Sequence, residues 1–382
     1  MASVCFALLA CGDDSEGFPA LDASESELRE LLRIPSHLPL PPYPEFNVPT
    51  EAKIQLGRHL FYEKRLSANG TQACADCHKQ SLAFADGLET PTGSTGQRLV
   101  RNSQGLGNAV YHSTLTWAND GFIHLEDQLR VPLTNDNPVE LGLTDAVRSE
   151  VLERFDSDPQ YRALFDTAFA QSTSGATLNK VIFALASFLR TMVSGDSPFD
   201  RYVNGDRSAL TRQQIEGLRL FNGEQFECFH CHGGANLSSS FRAHDSDAGA
   251  IRFPFFNNGL YNVDGEGSYP ARDQGLYDLT LDPNDRGLFR PQGLRNVAMT
   301  APYMHDGSIE TLRGVVEHYT RGGRLIESGP DAGDGRLSPL KSGLVRPFRA
   351  TDAEIDAVVA FLEALTDASF LSADHLSDPG PP

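Results

Sequence analysis

The sequence predicts a mainly α-helical protein of two tandem domains with long irregular loops, and three observations carry that prediction. Apolar side chains recur at helical spacing in several separate segments. The outline of helix, cysteine-containing motif, long irregular loop and C-terminal helices occurs twice along the chain. A length of 382 residues gives room for two domains, and a turn-rich break puts their boundary near residue 205.

The N-terminal segment is predicted to be the remnant of a lipoprotein signal followed by a tether. Residues 1–11 end in Leu-Leu-Ala-Cys11, which resembles a bacterial lipobox with Cys11 as the lipidated residue. No Lys or Arg precedes the apolar stretch, so the alternative that this segment is not a signal stays open. Residues 12–47 are rich in Ser, Asp and Pro, and we interpret them as a tether or extended arm and not as a packed element. We expect export to the periplasm, with a lipid anchor at Cys11 as the contact with the membrane.

The first domain is predicted over residues 48–205. Thr50 is positioned to cap a helix that continues through Tyr62, with apolar residues spaced for one face. A segment rich in Gly, Thr and Ser over residues 86–108 has no clear period and is predicted to be loop. Further helical patterns cover residues 145–155, 160–170 and 178–193.

The second domain is predicted over residues 206–370, with residues 371–382 as a tail. Thr211 and Gln214 form a capping-box pattern at the start of a helix. A long loop over residues 233–293 is typical of a segment that wraps a ligand. Thr-Asp-Ala-Glu over residues 351–354 is a second capping pattern, and it begins a last amphipathic helix that reaches residue 365.

Two copies of Cys-x-x-Cys-His carry the chemistry of the chain. They are Cys74-Ala-Asp-Cys77-His78 and Cys228-Phe-His-Cys231-His232. This pentapeptide is the attachment motif of a c-type haem, in which two thiols one helical turn apart bond the porphyrin and the His ligates its iron. The alternative, a four-cysteine zinc site, brings its pairs within roughly 15–20 residues of each other. Here about 150 residues separate the pairs, so we expect two covalently bound c-type haems.

Composition excludes some classes of partner. The formal net charge is −19, which argues against nucleic-acid binding because that function favours a basic surface. The acidic residues are interpreted mainly as a solvated surface, which could also steer the protein toward a basic patch on a partner. No stretch approaches the ~20 apolar residues that a membrane-spanning helix needs.

Several further motifs, together with the two Cys-x-x-Cys-His sites, resemble those of a known family. They are Leu56-Gly-Arg-His-Leu-Phe, Arg65-Leu-Ser, Arg101-Asn102, Pro138-Val-Glu-Leu-Gly142, Leu294-Arg-Asn-Val and Thr300-Ala-Pro-Tyr-Met-His-Asp-Gly307. The chain is thereby similar to the bacterial dihaem cytochrome c peroxidases and their MauG-type relatives over nearly all of residues 48–365. The resemblance implies that one haem reacts with hydrogen peroxide while the other stores or relays an oxidising equivalent.

The resemblance implies a ligand for the second haem that separates two branches of the family. That ligand lies fourteen residues beyond the His of the Pro-Tyr-x-His motif, and it is Met in ordinary peroxidases and Tyr in the MauG branch. Here the position is Tyr319. An anionic phenolate oxygen favours more oxidised iron, whereas a thioether sulfur favours ferrous iron. The alternatives are that Tyr319 is a core aromatic residue, or that Met304, Met299 or His318 is the ligand.

The first haem pocket is predicted to be open to peroxide. Ordinary peroxidases carry a distal His about sixteen residues after the proximal one, where this chain has Ser94. The family also places an acid–base Glu near the peroxide, and Glu140 matches that position, with a surface carboxylate as the alternative. Gln128 and Pro132 match two other positions of the distal pocket, although the spacing here is longer by one or two residues.

The same resemblance implies a residue between the haems and a calcium ion. Trp117, the sole tryptophan, matches the indole that lies between the two haems and carries charge, with a core aromatic role as the alternative. The family binds calcium through an Asn side chain and two backbone carbonyls, which correspond to Asn102, Thr300 and Pro302. Asn102 as an ordinary turn residue is the alternative.

Three functions remain open from the sequence. The first is oxidation, driven by hydrogen peroxide through a high-valent two-haem iron state, of a Trp-type residue in a periplasmic protein partner. The lipobox-like start resembles the MbnH-type enzymes of that branch, which convert a tryptophan of a copper-binding partner to kynurenine. The second is reduction of hydrogen peroxide to water with electrons from a small electron-donor protein. The third is non-enzymatic electron transfer, which the absence of a distal His and the presence of Glu140 disfavour.

Overall fold

A computed structural model describes residues 24–172 and 174–382, and within them the protein is mainly helical, as the sequence predicts. The α-helices are α1 (Glu25–Leu31), α2 (Glu51–Tyr62), α3 (Cys74–Cys77), α4 (Leu125–Gln128), α5 (Arg130–Thr134), α6 (Arg148–Asp156), α7 (Pro159–Ala168), α8 (Leu178–Leu189), α9 (Pro198–Val203), α10 (Arg212–Phe221), α11 (Phe229–His232), α12 (Tyr277–Thr280), α13 (Leu312–Thr320) and α14 (Asp352–Glu363). Two short antiparallel strands, β1 (Leu325–Ile326) and β2 (Gly333–Asp334), form the one sheet of the described part. No helix in that part is long and apolar enough to cross a membrane.

Side-chain caps fix the start of the main helices where the sequence predicts them. The Thr50 side chain accepts a hydrogen bond from the Lys53 amide at the start of α2. Thr211 with Gln214 at α10, and the capping pair at the start of α14, complete both hydrogen bonds of a capping box. Each cap satisfies amide groups that would otherwise lack partners in the first turn, which stabilises a helix by about 1 kcal/mol.

The two halves share one type of helix contact. In each half, a glycine in one long helix lies directly against the backbone of a second long helix. In the first half, a Cβ on Gly57 of α2 would lie 2.0 Å from the carbonyl oxygen of Ala184 in α8. In the second half, a Cβ on Gly217 of α10 would lie 1.9 Å from the carbonyl oxygen of Ala357 in α14. Only glycine permits backbones to approach this closely, so the repeated outline seen in the sequence corresponds to a repeated helix contact. The division between domains near residue 205 stays a prediction.

The prediction that residues 12–47 form a tether is wrong for the part of this segment that the structure describes. Residues 24–47 pack against the first half, where Leu28, Leu32 and Leu38 are at most 3% exposed. The segment is also held by hydrogen bonds, since Tyr111 Oη donates to the Pro39 carbonyl at 2.7 Å. Composition suggested a solvated arm, but well-spaced leucines bury enough apolar surface to dock an otherwise Pro-rich chain. Residues 12–23, the predicted signal remnant at residues 1–11 and Cys11 lie outside the described residues.

The predicted tail at residues 371–382 also packs, and it does so against the first half. Leu376 is 1% exposed, and its carbonyl accepts a hydrogen bond from Tyr62 Oη at 2.6 Å. Arg58 on α2 donates through Nε to the carbonyl of Ser377 at 2.7 Å. The C-terminus therefore ties the second half back to α2.

Candidate functional site

The first Cys-x-x-Cys-His motif forms one helical turn, α3, which ends at its histidine. The His78 amide donates to the Cys74 carbonyl at 2.9 Å, and His78 Nδ1 lies 2.7 Å from the Phe84 carbonyl oxygen. A carbonyl oxygen can only accept, so Nδ1 carries the proton and Nε2 keeps its lone pair for a metal. Burial lowers the pKa of His78, which favours this neutral form.

The second motif repeats that arrangement at α11. The His232 amide donates to the Cys228 carbonyl at 2.9 Å, and its Nδ1 lies 3.0 Å from the carbonyl oxygen of Gln292. Nε2 of His232 is therefore also unprotonated and available as a ligand. Burial raises the pKa of Cys228 to about 12 and that of Cys231 to about 11, because both thiols face apolar surroundings.

A cavity opens beside the second motif and contains Tyr319. It encloses about 260 Å³, and its walls include Cys228, Cys231, His232 and Tyr319. The phenol lies in the last turn of α13, and burial raises its pKa, while a hydrogen bond from the Asn258 side chain acts in the opposite direction. The phenol is also close enough to both thiols of the motif to feel their charge.

The three alternative ligands differ in their relation to this cavity. Met304 lines it, with Sδ 3.3 Å from Asn258 Nδ2, which donates to the sulfur. Met299 packs against the core of the first half, and His318 points its Nε2 to the Asn258 carbonyl at 3.0 Å. Of the four residues that the sequence proposed, Tyr319 and Met304 are the two that face the cavity in the described structure.

Backbone hydrogen bonds fix the segment that contains Glu140. The Leu141 amide donates to the Pro132 carbonyl at 2.9 Å, and the Ser94 amide donates to the Glu140 carbonyl at 2.8 Å. The carboxyl group itself affects the pKa of both Cys74 and Cys77, raising each. Burial raises the pKa of Glu140 to about 7. The charge of Glu140 thus acts weakly on both cysteines of the first motif, and its raised pKa makes both protonation states accessible near neutral pH.

Gln128 and Pro132 lie on the same side of one nearly continuous helical stretch. Gln128 ends α4, Leu129 keeps helical backbone angles, and Pro132 belongs to α5. Positions four residues apart share a helix face, so the half-buried Gln128 lies one turn from the Pro132 carbonyl to which the segment of Glu140 is bonded. Ser94 lies on the other side of that segment, and its hydroxyl is buried without a hydrogen-bond partner in the described structure.

Trp117 connects the surroundings of the two motifs. Its indole Nε1 donates to the Asn102 carbonyl at 2.9 Å, and the adjacent Ser103 donates through Oγ to the Cys77 carbonyl at 2.7 Å. Trp117 also lines the cavity that contains His232. The indole is thus one residue removed from the first motif and in direct contact with the space beside the second.

The three residues predicted to bind calcium all belong to the lining of that cavity. Asn102, Thr300 and Pro302 all line it. Asn102 donates through Nδ2 to the Leu88 carbonyl at 2.9 Å, which directs its Oδ1 away from that contact. Within residues 24–172 and 174–382, no hydrogen bond is given to this Oδ1 or to the carbonyls of Thr300 and Pro302. Unpartnered oxygens are the type of ligand that a hard cation such as calcium prefers, and the calcium site stays a prediction.

Sequence reasoning missed a polar network beside the cavity and left one histidine without a settled role. Arg290 and Gln292 lie in the long loop after the second motif, and both bond to the Gln104 side chain. His305, to which the sequence assigns no role of its own, is 5% exposed and stacks on Phe289 with ring centroids 3.7 Å apart. Residue type alone does not reveal the contacts with Gln104, because Arg290 and Gln292 are more than 180 residues away from it in sequence.

Comparisons with known proteins identify the family of the chain. A family model described as di-haem cytochrome c peroxidase matches residues 51–208. Cytochrome-c peroxidase IdrP1 of Pseudomonas sp. (strain SCT) is 36% identical over 366 residues, which cover 90% of each chain. Methylamine utilization protein MauG of Methylorubrum extorquens is 31% identical over 374 residues, which cover 95% of this chain and 94% of MauG. A crystal structure of a MauG-like protein associated with microbial copper homeostasis is 44% identical with a TM-score of 0.88, covering 91% of this chain and 98% of that one.

The fold and the paired motifs define a dihaem oxidoreductase of the peroxidase type. The chain belongs to the di-haem cytochrome c peroxidase family, the family that also contains MauG. Two haems are the cofactors that this family implies. The residues present fit them, because each motif offers a partly buried histidine whose Nδ1 is already bonded to a carbonyl, which leaves its Nε2 for the iron.

Proposed function

We propose that this protein is a periplasmic enzyme that uses hydrogen peroxide to oxidise a tryptophan-type side chain of a separate protein. The observation that carries the proposal is the position of Tyr319, which faces the same cavity as His232. Met304 faces it too, but its sulfur accepts a hydrogen bond from Asn258. Burial raises the pKa of Tyr319, so a phenolate at this position would need the positive charge of a bound iron, and a bound phenolate favours oxidised iron over reduced iron. A second haem of this kind suits storage of an oxidising equivalent better than uptake of electrons from a donor.

We propose that both haems are bonded covalently to the protein, one through Cys74 and Cys77 and the other through Cys228 and Cys231. Haem, when bound, supplies an iron that exchanges electrons, and in the first pocket an open coordination position. His78 and His232 would hold the irons through Nε2, and the carbonyls bonded to Nδ1 fix the orientation of each ring.

Glu140 is proposed to move the peroxide proton. Cleavage of the bond between the peroxide oxygens requires that a proton leave one oxygen and reach the other, which departs as water. A carboxyl with a pKa of about 7 can accept the first proton and return it, since both protonation states are accessible near neutral pH. Gln128 is proposed to orient the peroxide from the same side. Pro132 is proposed to fill part of the pocket at a position where no backbone N–H donor is needed. Ser94 leaves the position open that a distal histidine would occupy.

Trp117 is proposed to carry charge between the two haem sites. Its indole N–H is fixed by the Asn102 carbonyl, and its position touches the surroundings of both motifs. Calcium bound by Asn102, Thr300 and Pro302 would hold the same backbone segment that positions Trp117. Oxidation of the partner removes two electrons, and hydrogen peroxide with two protons accepts them to give two waters.

The proposed partner is a periplasmic protein connected with copper. The similar crystal structure at 44% identity is of a MauG-like protein associated with microbial copper homeostasis. The net charge of −19 favours a partner that presents a basic patch. A lipid anchor at Cys11 would keep the enzyme at the membrane surface, where secreted metal-binding proteins pass.

A second candidate function is reduction of hydrogen peroxide to water with electrons from a small redox protein. The identity of 36% to a protein named cytochrome-c peroxidase favours it. The two functions differ in the fate of the second haem, which must accept electrons readily in the second case. Rapid oxidation of a reduced cytochrome or cupredoxin under steady peroxide would support this alternative.

The ligand of the second haem tests the leading proposal. Tyr319→His and Tyr319→Met should retain both haems and raise the reduction potential of the second, because a neutral ligand stabilises ferrous iron. Tyr319→Phe should change the spectrum of that haem in the oxidised protein. Tyr303→Phe is the matched control, since Tyr303 lines the same cavity but donates its hydroxyl to the Val297 carbonyl at 3.2 Å. An oxidised spectrum that Tyr319→Phe leaves unchanged would remove Tyr319 as a ligand.

A further inference from the structure

Arg290 is a buried cation whose hydrogen bonds all go to neutral groups. It is 2% exposed. Its Nε donates to the Thr116 carbonyl at 2.9 Å, and Nη2 donates to the side-chain oxygens of Gln104 at 2.5 Å and Gln292 at 3.1 Å. The contact nearest to Nη1 is the Pro291 carbonyl at 3.4 Å, at the outer limit of a hydrogen bond. Arg290 therefore keeps donor capacity that the described residues do not use.

The other deeply buried arginines are paired with carboxylates. Arg190 bonds both oxygens of Glu126 at 2.8 and 3.0 Å, and Arg295 bonds both oxygens of Asp200 through Nη1 at 2.9 and 2.8 Å. Within residues 24–172 and 174–382, Arg290 has no ion pair. A guanidinium keeps its charge at any ordinary pH, so an isolated one in the interior is strongly unfavourable. The fold thus provides a cationic site and leaves its anion to be supplied from elsewhere.

The cavity is the place from which that anion would come. Arg290 lines it together with Gln104, Gln292 and His232. Gln292 Nε2 donates to Gln104 Oε1 at 2.7 Å, and both amide oxygens accept from Nη2, so Nη1 is the guanidinium nitrogen with the weakest contact. The Gln292 backbone carbonyl is the acceptor of His232 Nδ1. A single residue, Gln292, therefore connects Arg290 to His232 of the second motif.

We propose that Arg290 binds a propionate carboxylate of the second haem, and that this ion pair raises the reduction potential of that haem. A planar guanidinium matches a carboxylate in geometry, and an interior pair of this kind is far stronger than a surface pair. The pair would complete the charge balance that every other buried arginine achieves with Asp or Glu. The inference needs haem in the second site, and it does not depend on the proposed protein substrate or on Tyr319 as a ligand.

The effect on potential has a definite sign. With Arg290 present, the negative charge of the propionate near the iron is neutralised. With the guanidinium removed, that charge remains and stabilises the oxidised iron, so the reduction potential falls. Arg290→Gln should therefore lower the potential of the second haem. Arg290→Lys, which keeps the charge but loses the planar pair of N–H donors, should lower it less.

The test is a spectroelectrochemical titration of the purified dihaem protein with resonance Raman spectra of the propionate bending modes. Arg290→Gln is expected to lower the potential of the second haem and shift the propionate bands, and Arg290→Lys to give smaller changes of the same sign. Gln160→Glu is the control, because it adds one negative charge at an exposed position of α7. Its potential and its propionate bands should match those of the unaltered protein.

A variant that keeps the guanidinium covers the case in which Arg290→Gln fails to assemble with haem. Gln104→Glu is nearly isosteric and offers Arg290 a protein carboxylate in place of the propionate. It should shift the propionate bands in the direction of a weaker hydrogen bond. Unshifted bands in Gln104→Glu, or an unchanged or raised potential in Arg290→Gln, would overturn the proposal. Bands that move with added chloride or acetate in the unaltered protein would assign Arg290 to a free anion instead and would overturn it equally.

Discussion

The protonation of Glu140 should control how fast the oxidised enzyme reacts with peroxide. Burial raises the pKa of this carboxyl from an ordinary 4.5 to about 7. As the group that takes the peroxide proton, it must be ionised at the start of the reaction. The rate constant should therefore rise with pH and level off above about pH 8, with about half of its maximum near pH 7. At pH 5 about one molecule in a hundred is ionised, which predicts a loss of about 100-fold from the plateau.

The rise of the rate constant with pH distinguishes a raised pKa of Glu140 from an ordinary carboxyl pKa. A carboxyl at its ordinary value would be ionised throughout pH 6 to 9 and would give a flat profile in that range. Glu140→Gln should also give a flat profile, at a rate ~10²–10⁴ lower than the plateau of the unaltered enzyme. Stopped-flow mixing of the oxidised protein with peroxide between pH 5 and 9 measures both effects.

Two controls show whether the loss comes from proton transfer. Glu140→Asp keeps a carboxyl and should recover part of the rate and a sloping profile. Glu150→Gln, on the exposed side of α6, should behave as the unaltered protein. A flat profile for the unaltered enzyme, or a Glu140→Gln enzyme with normal kinetics and intact haem spectra, would refute the reasoning.

Two further predictions concern charge transfer and packing. Trp117→Phe should still consume peroxide but should slow or abolish the sharing of oxidising charge between the haems; formation of the shared state at the normal rate, followed by rapid-scan absorption, would contradict the role of the indole. Gly217→Ala should destabilise the second half by about 1–3 kcal/mol, because its Cβ would overlap the Ala357 carbonyl oxygen of α14. Gly343→Ala, with open space around the added carbon, is the control, and thermal unfolding of both variants measures the difference.

Features that depend on neighbouring residues could be predicted from the sequence. The caps at Thr50, Thr211 and Thr351 depend on a side chain and an amide three residues apart, and all three form as predicted. The two haem motifs are local in the same sense. The roles of Glu140 and Trp117 were expected from resemblance to a family, and both stay predictions, with the indole of Trp117 hydrogen-bonded to the Asn102 carbonyl.

Features that depend on distant contacts could not be predicted in this way. Residues 24–47 have the composition of a tether, yet their leucines belong to the core of the first half, and Asn47 donates to the Phe183 carbonyl, 136 residues further along the chain. Arg290 looks in the sequence like any other arginine. Its significance comes from the absence of a carboxylate around it in the described structure, and only a three-dimensional arrangement reveals that absence.

Absorption spectra of the oxidised protein before and after one equivalent of hydrogen peroxide test the central claim most directly. The account predicts a high-spin first haem that reacts without prior reduction, since Ser94 leaves its distal side open. It predicts a near-infrared charge-resonance band after peroxide, from charge shared between the two haems, and the loss of that band in Tyr319→Phe. A protein that reacts with peroxide only after its second haem has been reduced, and that gives no such band, would contradict the account and favour the peroxidase that draws electrons from a donor.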